Sequence, residues 1–126
     1  MERALYTTSS NVGLLAVAIF VMPHEDGIRI QIEIGNDLNP KIIVKESYIK
    51  ELGAKLSNCG EISESIELNK IGLTSSIFKI TPIDSDTCKV NYIAKAVIPL
   101  TVLSFKIERK KLNVLGETLM DLRNVT

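Results

Sequence analysis

The clearest signal along the chain is a strict alternation over residues 28–34, where Ile28, Ile30, Ile32 and Ile34 are separated by Arg29, Gln31 and Glu33. Successive side chains of an extended strand point to opposite faces, so this segment predicts a strand with one buried and one wet face. The same period of two recurs in residues 61–68, with Ile62, Glu64, Ile66 and Leu68 on one side. Two longer alternating runs follow at 76–83 and 87–98, joined by a turn at Asp84-Ser85-Asp86. Ser76, Phe78 and Ile80 share a face of the first; Cys88, Val90, Tyr92, Ala94, Ala96 and Ile98 share a face of the second.

The remaining segments read less simply. Residues 2–8 alternate as a first strand, and Ser9, Ser10 and Asn11 supply capping oxygens for a short helix from Asn11 to about Val21, ended by Pro23. That run is apolar on every side, so a strand remains the alternative. Gly35-Asn36-Asp37 and Asn39-Pro40 are turn chemistry leading to a strand at 41–45. In residues 46–56, Tyr48, Ile49, Leu52 and Leu56 have helical spacing within a run of strands, which leaves a short helix and an irregular strand both open. After Pro99 the pattern predicts a helix of about six turns. Its stripe carries Phe105, Leu112, Leu115, Leu119 and Leu122, with Arg109, Lys110, Lys111 and Arg123 mostly off it.

The fold class implied is α+β: a curved antiparallel sheet of about six strands wrapped against a long C-terminal helix, a helix-grip arrangement. Its 126 residues fit one domain, 1–126, with a substantial core. Hydrophobic residues make up 45% and aromatics only 5%, so that core is aliphatic and offers few rings for base stacking. With 15 basic and 15 acidic side chains the formal charge is zero, which lacks the footprint of a phosphate-tracking surface and excludes nucleic acid as a first partner.

Candidate chemistry narrows the picture further. Cys59 and Cys88 are too few for a zinc framework or a disulfide scaffold, and read as small buried thiols. The apolar run 12–22 is about half the length needed to span a bilayer, and its flanks do not suit a signal peptide, so the expected location is the cytoplasm. His24, the only histidine, stands beside Glu25 and Asp26 in a turn. Neighbouring residues rarely converge on one ion, so the reading is a solvated turn rather than a metal site. The glycines form no phosphate loop, and no cofactor is called for.

Residues 78–99, FKITPIDSDTCKVNYIAKAVIP, followed by the predicted terminal helix, resemble the last two strands and closing helix of the START and birch-pollen-allergen superfamily. Ile80-Thr81-Pro82, Asp84-Ser85-Asp86-Thr87 and Val90-Asn91-Tyr92 carry the resemblance. Richness in Ile and Lys makes the chain most similar to small archaeal members. The resemblance implies a helix-grip fold and lipid-transfer or cyclase-like activity, without a catalytic signature.

A sheet closed by a helix points to a container for a hydrophobic or amphipathic small molecule or lipid. The wall residues expected are Ile30, Ile66, Phe78, Val90, Tyr92, Ala94, Phe105, Leu112, Leu115 and Leu119. Glu64 and Glu108 fall on apolar faces, where each reads either as an edge residue reaching solvent or as an interior polar group; a carboxyl desolvated in the interior has a raised pKa. Two alternatives stand beside this reading. A mean hydropathy of +0.18 makes a non-catalytic interaction module or a homodimer plausible. A cyclase-like enzyme ranks last because the chain commits no acid–base pair.

Overall fold

The computed structural model describes residues 3–35 and 39–122. The expected turn at Asn36 and Asp37, the strand start at Glu2 and the helical Arg123 lie outside the described residues. Four strands come first: β1 (Tyr6–Ser10), β2 (Val17–His24), β3 (Gly27–Ile34) and β4 (Lys41–Lys45). Helix α1 (Glu46–Ser57) follows. Four more strands, β5 (Glu64–Ile71), β6 (Thr74–Pro82), β7 (Thr87–Lys95) and β8 (Pro99–Glu108), lead to helix α2 (Arg109–Asp121). They form two four-stranded antiparallel sheets, β1-β2-β3-β4 and β5-β6-β7-β8.

This α+β fold corrects the expectation of one sheet of about six strands gripping a long terminal helix. Two segments account for the difference. The apolar run after Asn11 is not a helix but enters β2, a strand between β1 and β3. Val17, Ile19 and Val21 are buried on one face, while Ala18, Phe20 and Met22 are half-buried on the other, so a covered strand carried no alternation to read. After Pro99 the chain continues as β8 for ten residues before α2 begins. Phe105 and Ile107 are buried with Lys106 exposed between them, a strand period that pairing with β7 stabilises. Residues 46–56, left open above, form α1.

The chain repeats itself. Each half runs four antiparallel strands into one helix, and each helix buries the same spacing: Ile49, Leu52, Gly53 and Leu56 in α1, and Leu112, Leu115, Gly116 and Leu119 in α2. The helix entrances match too, since the Glu46 amide donates to Asp26 O at 2.9 Å and the Arg109 amide to Asp86 O at 2.8 Å. The two helices pack on each other. Helix α1 also touches β5 of the second half, and α2 touches β1 of the first. Contacts that run reciprocally between two like halves describe an approximate two-fold axis through the helix crossing.

One hydrophobic core joins both sheets and both helices. Phe78 sits at its centre, edge-on to Tyr92 at 6.2 Å and to Phe105 at 6.3 Å between ring centroids. Asn113, half-buried on α2, donates to Leu56 O at 3.0 Å and Cys59 O at 3.1 Å, which satisfies carbonyls at the C-terminal end of α1. No helix among the described residues is long and apolar enough to cross a membrane.

Candidate functional site

The expected wall residues lie together, inside the core. Ile30, Ile66, Phe78, Val90, Tyr92, Phe105, Leu112, Leu115 and Leu119 all belong to the one buried cluster and pack against each other's elements. Ala94 is half-buried near the end of β7, opposite Ser76 and Leu100. The Tyr92 hydroxyl shares a hydrogen bond with Ser76 Oγ at 3.2 Å. Phe105 stands on β8 rather than on a terminal helix.

Of the two carboxylates, Glu64 is half-buried at the start of β5, paired with Ile80. Glu108 is not directed at an interior from a helix stripe; it is the residue before α2, at the junction with β8. It accepts a short hydrogen bond from Ser10 Oγ of β1 and an ion pair from Lys111 at 3.1 Å. The Ser10 hydroxyl is the largest influence holding its pKa below the ordinary carboxylate value, against a smaller desolvation effect. The raised pKa expected for acid–base work is therefore reversed at Glu108. Burial pushes the Cys59 thiol up to about 12, helped by the nearby Glu64 and Cys88, and it also raises Cys88. Both cysteines are free. In the β2–β3 turn the Asp26 amide donates to His24 Nδ1 at 3.1 Å. Among the described residues no group of three His, Cys, Asp or Glu side chains is placed to hold a metal ion.

Two grooves occupy equivalent positions in the halves, where the edge of one sheet meets the edge of the other. One of about 530 Å³ follows the seam of β4 and β5 and is bordered by His24, Ile43, Lys45, Tyr48, Leu68 and Ile71. Asn69 Nδ2 bridges that seam to Ile43 O at 2.9 Å. Tyr48 donates to Glu67 O at 2.6 Å and accepts from Lys55 at 3.2 Å, a bond that raises the Lys55 pKa. The other, about 750 Å³, lies at the seam of β8 and β1 beside Tyr6, Asp86, Glu108, Arg109 and Lys111. There the Ser10, Glu108 and Lys111 contacts tie the edges together, and Lys111 Nζ also donates to Ser9 O.

The exposed surface has a third feature. Leu14 and Leu15, in the loop after β1, stand in solvent, with Leu14 fully exposed. Gly13 places that loop against β8, since a β-carbon on it would lie 3.4 Å from Lys106 Cβ. A shallow groove of about 270 Å³ runs between the loop and Ser104, Phe105 and Lys106. Farther along β8 and in the turn before it, Val97, Ile98 and Leu100 are exposed at 93%, 74% and 67%. β8 is an edge strand of its sheet. No charged side chain occurs in residues 12–16 or 96–105. Val97, Ile98 and Leu100 thus form an exposed apolar stretch around the start of β8, while the loop of Leu14 and Leu15 lies beside Lys89 and Lys106 at its other end.

Sequence reading missed both places because it placed the first run in a helix and Ile98 on the buried face of a strand. The available signal was the absence of charge between Lys95 and Lys106 in a chain that is 24% charged. No protein-family model matches the chain, and no curated protein matches it.

Proposed function

We propose that the chain is a non-catalytic interaction module, which docks a protein partner through the exposed apolar residues around the start of β8 and in the loop after β1. The observation that carries this reading is the exposure of Val97, Ile98 and Leu100 in adjoining positions around the start of β8, and of Leu14 in the loop beside the other end of that strand. Large exposed apolar patches mark docking sites because leaving them in water forgoes roughly 25 cal/mol for each Å² that a partner would cover. Filling of the interior by the residues first nominated as ligand walls also supports it.

A photoreactive amino acid introduced at Leu14 or Leu100, with Glu51 on the exposed face of α1 as control, tests the reading in cells producing the protein. Discrete protein adducts are expected from the first two positions alone. Equal adduct yields at Leu100 and Glu51 would refute it.

The groove at the β4–β5 seam favours a second reading, binding of a hydrophobic or amphipathic small molecule. Its volume of about 530 Å³ falls in the range of small-molecule sites, and the Tyr48 ring, held by Glu67 and Lys55, gives it a fixed apolar wall. Native mass spectrometry with fatty acids is the check. Uptake that Tyr48→Ala abolishes is expected on this reading, and no uptake removes it.

A further inference from the structure

We propose that the groove at the β8–β1 seam binds a phosphate group, carried free or on a small phosphate ester, through the Thr8 hydroxyl and the cationic start of α2. The likeness of the two halves locates it. β1 and the first five residues of β5 share one burial pattern, so Thr8 and Ser10 stand where Ile66 and Leu68 stand in the other half. Two inward apolar positions of one strand are hydroxyls in the other. Ser10 is accounted for, because its hydroxyl bonds to Glu108. Thr8 is not: it is only 9% exposed, it borders the groove, and its hydroxyl makes no hydrogen bond among the described residues. A hydroxyl withdrawn from water without a partner costs about 1–3 kcal/mol, which a valine of the same shape would avoid. A ligand in the groove that accepts this hydrogen bond removes the cost.

The charges around the groove select the acceptor. Arg109, Lys110 and Lys111 open α2, whereas α1 opens on Glu46. Amides at a helix N-terminus carry about half a positive charge, so cations beside them are repelled and an anion is attracted by both. The Arg109 amide bonds to Asp86 O, and among the described residues no side chain caps those of Lys110 and Lys111. Lys111 is neutralised by Glu108 at 3.1 Å, but Arg109 and Lys110 form no ion pair among the described residues. Asp86 also borders the groove, exposed at its rim, and still leaves these cations in excess. A donor hydroxyl, uncapped amides and surplus positive charge together favour a group that only accepts, and a phosphate ester presents three such oxygens. With about 750 Å³ the groove has room for the rest of a small ester.

Isothermal titration calorimetry of the purified chain at constant ionic strength, with inorganic phosphate and with ribose 5-phosphate, tests the site. Saturable binding below about 10 mM is expected from a few charge-assisted hydrogen bonds. Thr8→Val is expected to weaken it about tenfold or more, with the urea midpoint unchanged or raised. Lys110→Gln is expected to weaken it as well, while Lys50→Gln, on the exposed face of α1, leaves it unchanged. Tighter binding of ribose 5-phosphate would support an ester as the ligand, and equal binding would support the free ion. Absence of binding by both probes would overturn the proposal, as would binding that either Thr8→Val or Lys110→Gln leaves unchanged. A lowered urea midpoint in Thr8→Val would show that the hydroxyl is satisfied within the protein and would overturn it too.

Discussion

A β-carbon on Gly116 would stand 2.5 Å from the carbonyl oxygen of Gly53, and one on Gly53 would stand 2.7 Å from the carbonyl oxygen of Gly116. The two helices thus cross in backbone contact, at a separation that only glycine at both positions permits. Alanine ordinarily favours a helix by about 1 kcal/mol over glycine. At Gly116, however, the added carbon would also lie 2.3 Å from the Ser57 amide nitrogen, which belongs to backbone and cannot rotate away.

Gly116→Ala is therefore expected to destabilise the protein by about 1–3 kcal/mol despite its better propensity. Gly13→Ala, where the new carbon meets only ordinary contacts at 3.4 Å or more, serves as the comparison. Urea denaturation of both variants measures the difference. A Gly116→Ala protein as stable as the parent would show that the helices do not cross at these glycines.

Phe78 is fully buried and meets both Tyr92 and Phe105 edge-on. As a core residue, Phe78→Ala is expected to cost about 3–5 kcal/mol, read from the midpoint of denaturation. A stability change below about 1 kcal/mol, with altered uptake of an apolar ligand, would instead return Phe78 to the wall of a binding cavity.

Glu108 gives the protein an acid-sensitive contact between its halves. Its folded pKa lies below its ordinary value of 4.5, first because of the Ser10 hydroxyl, so its stabilising effect is present above that value and fades as pH falls through the folded pKa. Its side chain is about one-third exposed, at 31%, which limits the effect through solvent screening. Glu108→Gln is expected to cost about 1 kcal/mol at pH 7 and progressively less as pH falls below 4.5. Thermal melts from pH 7 downward check it; a loss that does not shrink as the pH is lowered would contradict the assignment.

The two cysteines are expected to be silent in the native protein. Burial raises both thiols, Cys59 to about 12, so little thiolate forms at pH 8 and access is closed as well. Iodoacetamide at pH 8 is expected to leave both unlabelled until denaturant is added, as followed by intact mass. Rapid labelling of the folded chain at Cys59 would mean that the α1–β5 connection opens readily.

Several elements were legible because one face of each was wet. In β3, and in the alternating parts of β5, β6 and β7, charged or polar residues mark the outward positions, so period two stands out. Ile30, Ile66, Phe78 and Val90 are inside for the same reason, whereas Ile62, Ala96 and Ile98, which the same period put on buried faces, are exposed. β2 lacked that contrast because its second face is half-covered, and a capping sequence before it argued for a helix. The stripe read through Phe105 and Leu112 crosses a change of period at Glu108, where a strand becomes a helix. One signal went unused: Ile49-x-x-Leu52-Gly53-x-x-Leu56 and Leu112-x-x-Leu115-Gly116-x-x-Leu119 repeat the same spacing, and matching them would have halved the problem before any strand was placed.

The sequence by itself determined the α+β class, an aliphatic core, and the wet and dry faces of β3 and of most of β5, β6 and β7. Those properties depend on local period and residue type, which any one segment carries. Only the tertiary structure decided that the strands divide into two sheets, that the halves are alike, that Glu108 bonds to Ser10, and that the Leu14 loop lies beside β8. Each of those depends on which edges meet, and edges meet through contacts between residues far apart in the chain, where local pattern carries no record of the partner.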